Sequence, residues 1–203
     1  SRTLQKAVGG FTDTVEDVAF SPDGSLLATC GKTLTIWDLQ TDTVQSTFPD
    51  QNTKPSYCVA FSPDGSLIAS ATGAGLVNLW DVHTHQQRGT FRNEPQVSVS
   101  SVAFSPDGNT LAVAFSGTRL LLWDWHIPQI RPLYPESTGG IQTAWFSPDG
   151  KTLATNLYSG VQLFDVQTGQ SREMLPAENQ TVNLAFSSDG RLLTFDDYNG
   201  TID

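Results

Sequence analysis

Residues that could carry catalysis or bind a metal are few in this chain. Its three histidines are His83, His85 and His126. The spacing of His83 and His85 could place both on one strand face, but a zinc site needs three or four ligands and no further histidine or cysteine is predicted nearby. No Gly-x-Ser-x-Gly elbow or glycine-rich phosphate loop occurs in the sequence. We therefore predict exposed turn histidines, no metal and no cofactor.

Charge and composition argue against two further classes of partner. The 203 residues include 11 Lys plus Arg and 21 Asp plus Glu, for a formal net charge of -10. Nucleic-acid binding needs clustered positive charge, so no nucleic-acid partner is predicted. The apolar stretches are of strand length and broken by polar residues, so no membrane partner is predicted. Cys30 and Cys58 belong to different repeat units and are expected to be reduced thiols, which favours the cytoplasm.

A repeated stretch organises the elements that would position any site. It starts with an apolar run at Val18, continues through a Ser-Pro-Asp-Gly turn and a second apolar run, and ends in a strand that closes with Trp37-Asp38. The phenylalanine before each turn recurs at steps of 40 to 43 residues, at Phe20, Phe61, Phe104, Phe146 and Phe186. This period predicts one four-stranded blade of a β-propeller in each unit.

The turn between the first two strands of each unit has its own chemistry. Proline presets the backbone for the second position of a type I turn, and glycine accepts the left-handed conformation that follows. Ser-Pro-Asp-Gly therefore predicts a hairpin, with Asp23, Asp64, Asp107 and Asp149 as turn residues. The flanking strands are apolar runs, as expected when both faces of a sheet are covered.

These residues resemble the WD-repeat (tryptophan-aspartate repeat) family. The matching motifs are Ile36-Trp37-Asp38, Leu79-Trp80-Asp81 and Leu122-Trp123-Asp124, with Leu163-Phe164-Asp165 as a weaker copy. The resemblance implies an all-β, WD-repeat-like β-propeller segment of about five four-stranded antiparallel blades. We expect an incomplete, open-arc part of a seven-bladed propeller. Closure as a five-bladed ring is the alternative.

In this register the chain divides into an outer strand of a preceding blade and five blades. The expected boundaries are 1–10 for that strand and 11–48, 49–91, 92–140, 141–175 and 176–203 for the blades, the last of them partial. The outer strand of the third blade is expected to be irregular, because Pro128, Pro132 and Pro135 each remove a backbone donor.

Two family features are missing from the repeats. No unit has the Gly-His that precedes the first strand in many WD repeats, and the usual turn aspartate is replaced by Gly31, Ala74, Gly117, Tyr158 and Asn199. The departures imply a divergent, bacterial-type member whose blades are held by apolar packing without the family's buried polar network.

The resemblance implies a protein-protein interaction scaffold without catalysis. The loops that join the second to the third strand, and each outer strand to the next blade, gather on one rim, the usual binding face of the family. The candidate contacts for a peptide or protein partner on this rim are Arg92, Arg119, Arg131, Tyr134, Tyr158 and Tyr198. The remaining blades of the same propeller are further expected partners.

Two other functions stay open. One is a hydrolase- or lactonase-like enzyme, although the expected channel-side residues include one acid among Glu16, Tyr57, Ser100, Gln142 and Val182. The other is a regulatory sensor domain of a larger bacterial signalling protein.

Overall fold

The computed structural model of the chain describes residues 14–49, 56–92, 97–117, 119–127, 129–133, 140–177 and 181–197. These ranges contain eighteen strands: β1 (Val15–Phe20), β2 (Leu26–Gly31), β3 (Thr33–Asp38), β4 (Thr43–Pro49), β5 (Ser56–Phe61), β6 (Leu67–Thr72), β7 (Leu76–Asp81), β8 (Gln87–Arg92), β9 (Val99–Phe104), β10 (Thr110–Phe115), β11 (Leu120–Asp124), β12 (Gln129–Leu133), β13 (Ala144–Phe146), β14 (Thr152–Leu157), β15 (Gly160–Asp165), β16 (Ser171–Pro176), β17 (Thr181–Phe186) and β18 (Leu193–Asp197).

Consecutive strands pair antiparallel to form separate sheets. Strands β1 to β4, β5 to β8, β9 to β12 and β13 to β16 each make a four-stranded sheet in sequence order, and β17 pairs with β18. We call these sheets blades 1 to 5. They confirm the predicted all-β architecture of propeller blades. In these ranges no helix has the length and apolar character needed to cross a lipid bilayer.

The hairpin between the first two strands of a blade follows the predicted turn chemistry. In blade 1 the amide of Gly24 donates to the carbonyl of Ser21 (2.9 Å), and the amide of Ser21 donates to the carbonyl of Leu26 (3.0 Å). Gly24 has a φ of 72°, a conformation that costs glycine little and other residues more. The same bonds recur in the other four turns.

The core lies between successive blades. Ile36 of blade 1 packs in one buried cluster with Ile68 and Trp80 of blade 2, and Leu79 of blade 2 packs with Trp123 of blade 3. Two more clusters join blades 3 and 4 and blades 4 and 5. The middle strands of blades 2 to 4 are therefore covered on both faces, and Trp80 and Trp123 are buried between blades.

The expected apolar packing between blades is present, but buried polar bonds are not all lost with the family's His and Asp. The indole of Trp80 donates to Ser70 Oγ (3.1 Å), and that of Trp37 donates to Thr29 Oγ1 (3.3 Å). Polar side chains also join blades. The amide of Val59 donates to Asp17 Oδ2 (3.0 Å), and buried Asn156 donates to the carbonyl of Thr181 (3.2 Å). The family's His and Asp are absent from these repeats. Strand hydroxyls and polar side chains of the first and second strands supply other hydrogen bonds.

The expectation of an irregular outer strand in blade 3 is wrong at β12. This strand pairs with β11 without a register shift, from Leu120 opposite Leu133 to Asp124 opposite Gln129. Pro132 is tolerated because an outermost strand bonds through one edge only, and proline is acceptable where no ladder donor is needed. Pro128 and Pro135 lie outside the described residues, as do the predicted strand within 1–10 and the chain from Tyr198 to Asp203.

Candidate functional site

The antiparallel blades place their connections at two opposite ends. One end, which we call the turn end, carries the Ser-x-Asp-Gly turns and the turns that follow each third strand. The other end is the rim that was predicted from the sequence as the binding face. In the described ranges, the turns between second and third strands bring to this rim Gly31, Lys32, Gly73, Ala74, Gly117, Tyr158 and Ser159.

Three of the six predicted contact residues lie at the rim. Arg92 ends β8 and is exposed. Arg119 is exposed directly before β11, and its guanidinium carbon lies 5.9 Å from the centre of the buried Phe115 ring. Tyr158 lies in the turn between β14 and β15 with 55% of its surface exposed. Tyr134 and Tyr198 lie outside the described residues.

Arg131 does not lie in a rim loop, so its predicted placement is wrong. It stands in the middle of β12, opposite Leu122. Its guanidinium donates from Nη1 to the carbonyls of Val166 (2.7 Å) and Gln167 (2.9 Å). Those carbonyls belong to the turn after β15, which lies at the turn end. Arg131 therefore connects blades 3 and 4.

Two tyrosines at the rim are seated against glycines. A Cβ on Gly140 would come 3.2 Å from Cε2 of Tyr158, and one on Gly73 would come 2.5 Å from Cε2 of Tyr57. At Gly73 a side chain would clash, so glycine is required for the tyrosine ring to lie against the backbone. Tyr57 remains 41% exposed. From the sequence Tyr57 was expected at the channel and not among the rim candidates, although it stands at the start of the inner strand β5, beside a glycine-containing turn.

The histidines occupy exposed turns at the other end. His85 has a φ of 59°, and its ring lies edge-on to the buried Phe48 ring of blade 1 at 5.6 Å. It thus helps to pack two blades. Among the residues that the structure describes, no group of three His, Cys, Asp or Glu side chains could hold a metal ion.

The turn aspartates accept hydrogen bonds from groups of their own turns. The Ser21 hydroxyl donates to Asp23 Oδ1 (2.6 Å), and the amide of Ser25 donates to the same oxygen (3.0 Å). These bonds lower the pKa of Asp23 to about 2. The corresponding serine and amide bonds lower the pKa of Asp64, Asp107, Asp149 and Asp189.

The aspartates that end the third strands bond locally. Asp81 accepts from the amide of Thr84 (2.8 Å) and pairs with Arg88 (2.7 Å), and both interactions lower its pKa. Hydrogen bonds from the amide of Thr168 and, to a smaller extent, from the Arg172 guanidinium lower the pKa of Asp165 to about 2. Such geometry stabilises turns and leaves these acids without a catalytic arrangement.

Comparison with known families agrees with this blade geometry. A family model described as the WD domain, G-beta repeat, matches residues 2–38, 43–81 and 86–124, more than half of the chain. The chain belongs to the WD-repeat family. WD repeats generally mediate interactions between proteins. Among curated proteins, comparison by sequence finds no match.

The WD-repeat matches end at Asp38, Asp81 and Asp124, the last residues of β3, β7 and β11. The structure continues the same arrangement through blade 4, where Phe164 replaces the tryptophan and is fully buried. A phenylalanine has no indole donor. Accordingly, the hydroxyl of Thr155, the counterpart of Ser70, donates to the carbonyl of Thr143 instead (2.8 Å).

Two tryptophans depart from the WD-repeat pattern at accessible positions, and neither was predicted as a candidate from the motifs. Trp145 is 49% exposed and stands where the other blades have Ala19, Ala60, Ala103 and Ala185. Trp125 stands where the other blades have Leu39, Val82 and Val166. A position-by-position comparison of the repeats, rather than a search for known motifs, would have found them.

Proposed function

We propose that this WD-repeat segment is a non-catalytic scaffold that binds a peptide or protein partner through the rim. The observation that carries the proposal is the pair of exposed tyrosines, Tyr57 and Tyr158, held against Gly73 and Gly140. Tyrosine offers a large, amphipathic contact surface with few rotatable bonds, so little conformational entropy is lost when it binds. A ring already seated on a glycine loses less still.

Positive charge at the rim supports the same surface. Arg92 and Arg119 are exposed at the rim of a chain whose net charge is -10. Arginine and tyrosine are enriched among the residues that dominate interface energies. An acidic or carboxylate-bearing segment of a partner could be held by these arginines while its apolar groups contact the tyrosines.

Binding measurements with rim variants test this proposal. Partners would be captured on the immobilised chain and identified, and their affinity then measured by calorimetry for Y57A, Y158A, R92A and R119A. A hot-spot truncation typically costs about 2 kcal/mol or more, close to thirtyfold in affinity. R88A, at the turn end, is the matched control and should bind like the parent. Unchanged affinity in all four rim variants would place binding elsewhere.

The enzyme alternative has its own test, because it needs turnover rather than affinity. A panel of esters, lactones and peptides would be incubated with the chain, and any activity checked in H83A, H85A and H126A. We expect no turnover above that of buffer. Hydrolysis that disappears in one of these variants would overturn the scaffold proposal.

A cytoplasmic location, with no nucleic-acid or membrane partner, belongs to the same proposal. Cys30 and Cys58 are both buried free thiols, which suits a reducing compartment. Burial also raises the pKa of the Cys58 thiol, so that thiol stays protonated and unreactive. The acidic net charge disfavours contact with phosphate backbones.

A further inference from the structure

The turn end carries a cleft between blades 2 and 3 that the rim does not involve. Its volume is about 510 Å³, within the range of about 300–1,000 Å³ common for binding sites. Its walls come from the blade 2 turn with Pro63 and Asp64, the blade 3 turn with Pro106 and Asp107, and the Trp125-His126 pair that follows β11. Three separate segments thus converge on one concave surface.

Trp125 is the feature of this cleft that the repeat does not explain. Blades 1, 2 and 4 use an aliphatic residue at its position, namely Leu39, Val82 and Val166. In blade 3 the indole donates from Nε1 to the carbonyl of Gly108 (3.0 Å). The ring of exposed His126 lies against it, with centroids 3.6 Å apart and the ring planes tilted by 32°. This arrangement places an aromatic wall in the cleft.

The charged groups of the cleft favour a cation. Asp64 and Asp107 stand in its two turns and are both exposed. Each has a carboxylate held in place by its turn: Ser62 Oγ donates to Asp64 Oδ1 (2.6 Å) and Ser105 Oγ to Asp107 Oδ1 (2.5 Å). Among the described residues lining the cleft there is no lysine or arginine. Two fixed carboxylates therefore line one opening beside an aromatic pair. Their Oδ2 atoms accept one bond each, from Ser66 Oγ (2.8 Å) and Asn109 Nδ2 (3.1 Å), and each can accept a further donor.

We propose that this cleft binds an arginine-bearing peptide segment of a partner protein. The guanidinium is planar, stacks on aromatic rings and pairs with carboxylates through two parallel hydrogen bonds, whereas the lysine ammonium is a compact point charge. Pro63 and Pro106 offer apolar contact to the segment on either side of the arginine. The surface is opposite the rim, so the inference does not depend on the proposed rim function.

The indole N-H signal of Trp125 in nitrogen-proton correlation spectra is a direct reporter. The chain has five tryptophans, and the signal would be assigned from the spectrum of W125V, which installs the residue that blades 2 and 4 use. The probes are the capped single residues Nα-acetyl-arginine, -lysine and -glutamate methylamide. We expect a saturable shift with the arginine probe, at least threefold weaker binding of the lysine probe and no shift with the glutamate probe.

Variants of the two carboxylates show whether the shift comes from the cleft. D64N and D107N should each weaken the arginine probe at least fivefold. D23N makes the same change in the equivalent turn of blade 1, outside the cleft. It should perturb its own turn as D64N and D107N do theirs, but leave probe binding unchanged. I130T, at an exposed residue of β12 outside the cleft, should also leave it unchanged.

Several results would overturn the proposal. These are the absence of a saturable shift with the arginine probe, an equal shift with the glutamate probe, or a shift that persists in both D64N and D107N. Equal affinity for lysine and arginine would overturn the guanidinium assignment. A Trp125 shift that follows protein concentration without any probe would show that a second copy fills the cleft, which also contradicts the proposal.

Discussion

One serine hydroxyl serves as both donor and acceptor in each Ser-x-Asp-Gly turn. Ser62 Oγ donates to Asp64 Oδ1 (2.6 Å) and accepts from the amide of Leu67 (2.9 Å). Ser187 does the same with Asp189 and Leu192 in blade 5. The difference is burial, since Ser62 and Leu67 are buried whereas the bonds of Ser187 are exposed. Water can replace a lost partner only at the exposed turn.

We expect S62A to destabilise the chain more than S187A. Removing the Ser62 hydroxyl leaves the buried amide of Leu67 without its side-chain acceptor, a loss of about 1–3 kcal/mol. In S187A, water can solvate the exposed amide of Leu192, so the loss should stay below about 1 kcal/mol. Urea unfolding followed by tryptophan fluorescence measures both. Equal destabilisation would show that burial of the turn does not decide the cost.

The turn carboxylates predict acid sensitivity of stability. Hydrogen bonds lower the pKa of Asp23 and of Asp165 from an ordinary value of 3.8 to about 2. A carboxyl whose pKa is lower in the folded state contributes stability above its unfolded pKa and loses it as the pH falls through the folded value. The midpoint of thermal unfolding should therefore be level near pH 5 and fall between about pH 4 and pH 2. D23N should show a shallower fall, and an identical fall would contradict this origin.

At the scale of the strands, the presence or absence of a bulge decides which group an arginine binds. Arg88, Arg131 and Arg172 each follow a strand-ending aspartate by the same number of residues. In blades 2 and 4 a register shift makes Arg88 and Arg172 extra residues, and each pairs with its own aspartate. In blade 3 the pairing of β11 with β12 has no shift. Because an extra residue changes which way a side chain points, Arg131 instead reaches the next blade.

R131A should therefore cost more stability than R88A. Arg131 is half-buried and donates two charged hydrogen bonds to carbonyls of blade 4. Bonds to charged groups contribute about 1.5–3 kcal/mol. Arg88 and Asp81 form a pair on an exposed arginine, and such pairs contribute about 0–1 kcal/mol. Urea unfolding of both variants gives the comparison, and a cost for R131A no larger than that for R88A would contradict the inter-blade role.

The elements could be predicted from the sequence where the signal is local. The hairpin of Ser21 to Gly24 and the strand ending at Asp38 follow from turn chemistry and apolar runs, and both are confirmed. The position of Arg131 could not be predicted, because it depends on whether the outer strand carries a bulge. The spacing alone does not reveal this. The bond between Asp17 and Val59 likewise depends on how two blades meet. The rim candidates Arg92, Arg119 and Tyr158 keep their predicted positions, but their role in binding remains a prediction.

At the scale of the molecule, the two faces of blade 1 differ. In blades 2 to 5 the residues Val59, Val102, Ala144 and Leu184 are buried by the preceding blade. Their counterpart in blade 1, Val18, is 51% exposed, and Phe20 at the end of the same strand is 64% exposed. In the described part of the chain, blade 1 thus presents an exposed apolar sheet face. The corresponding face of each later blade is covered by the blade before it.

The exposed face of blade 1 predicts self-association of the chain. Contiguous apolar surface of this kind drives contact between molecules, and the open-arc arrangement provides it where a closed five-bladed ring would bury it. Size-exclusion chromatography with light scattering should show a mass that rises with protein concentration. The double variant V18T/F20T should shift the distribution toward monomer by removing apolar area, whereas I130T changes an exposed residue of the blade 3 outer strand and should not. A compact monomer at all concentrations would contradict the open arc and favour closure of five blades, because Val18 and Phe20 would then be covered within one molecule.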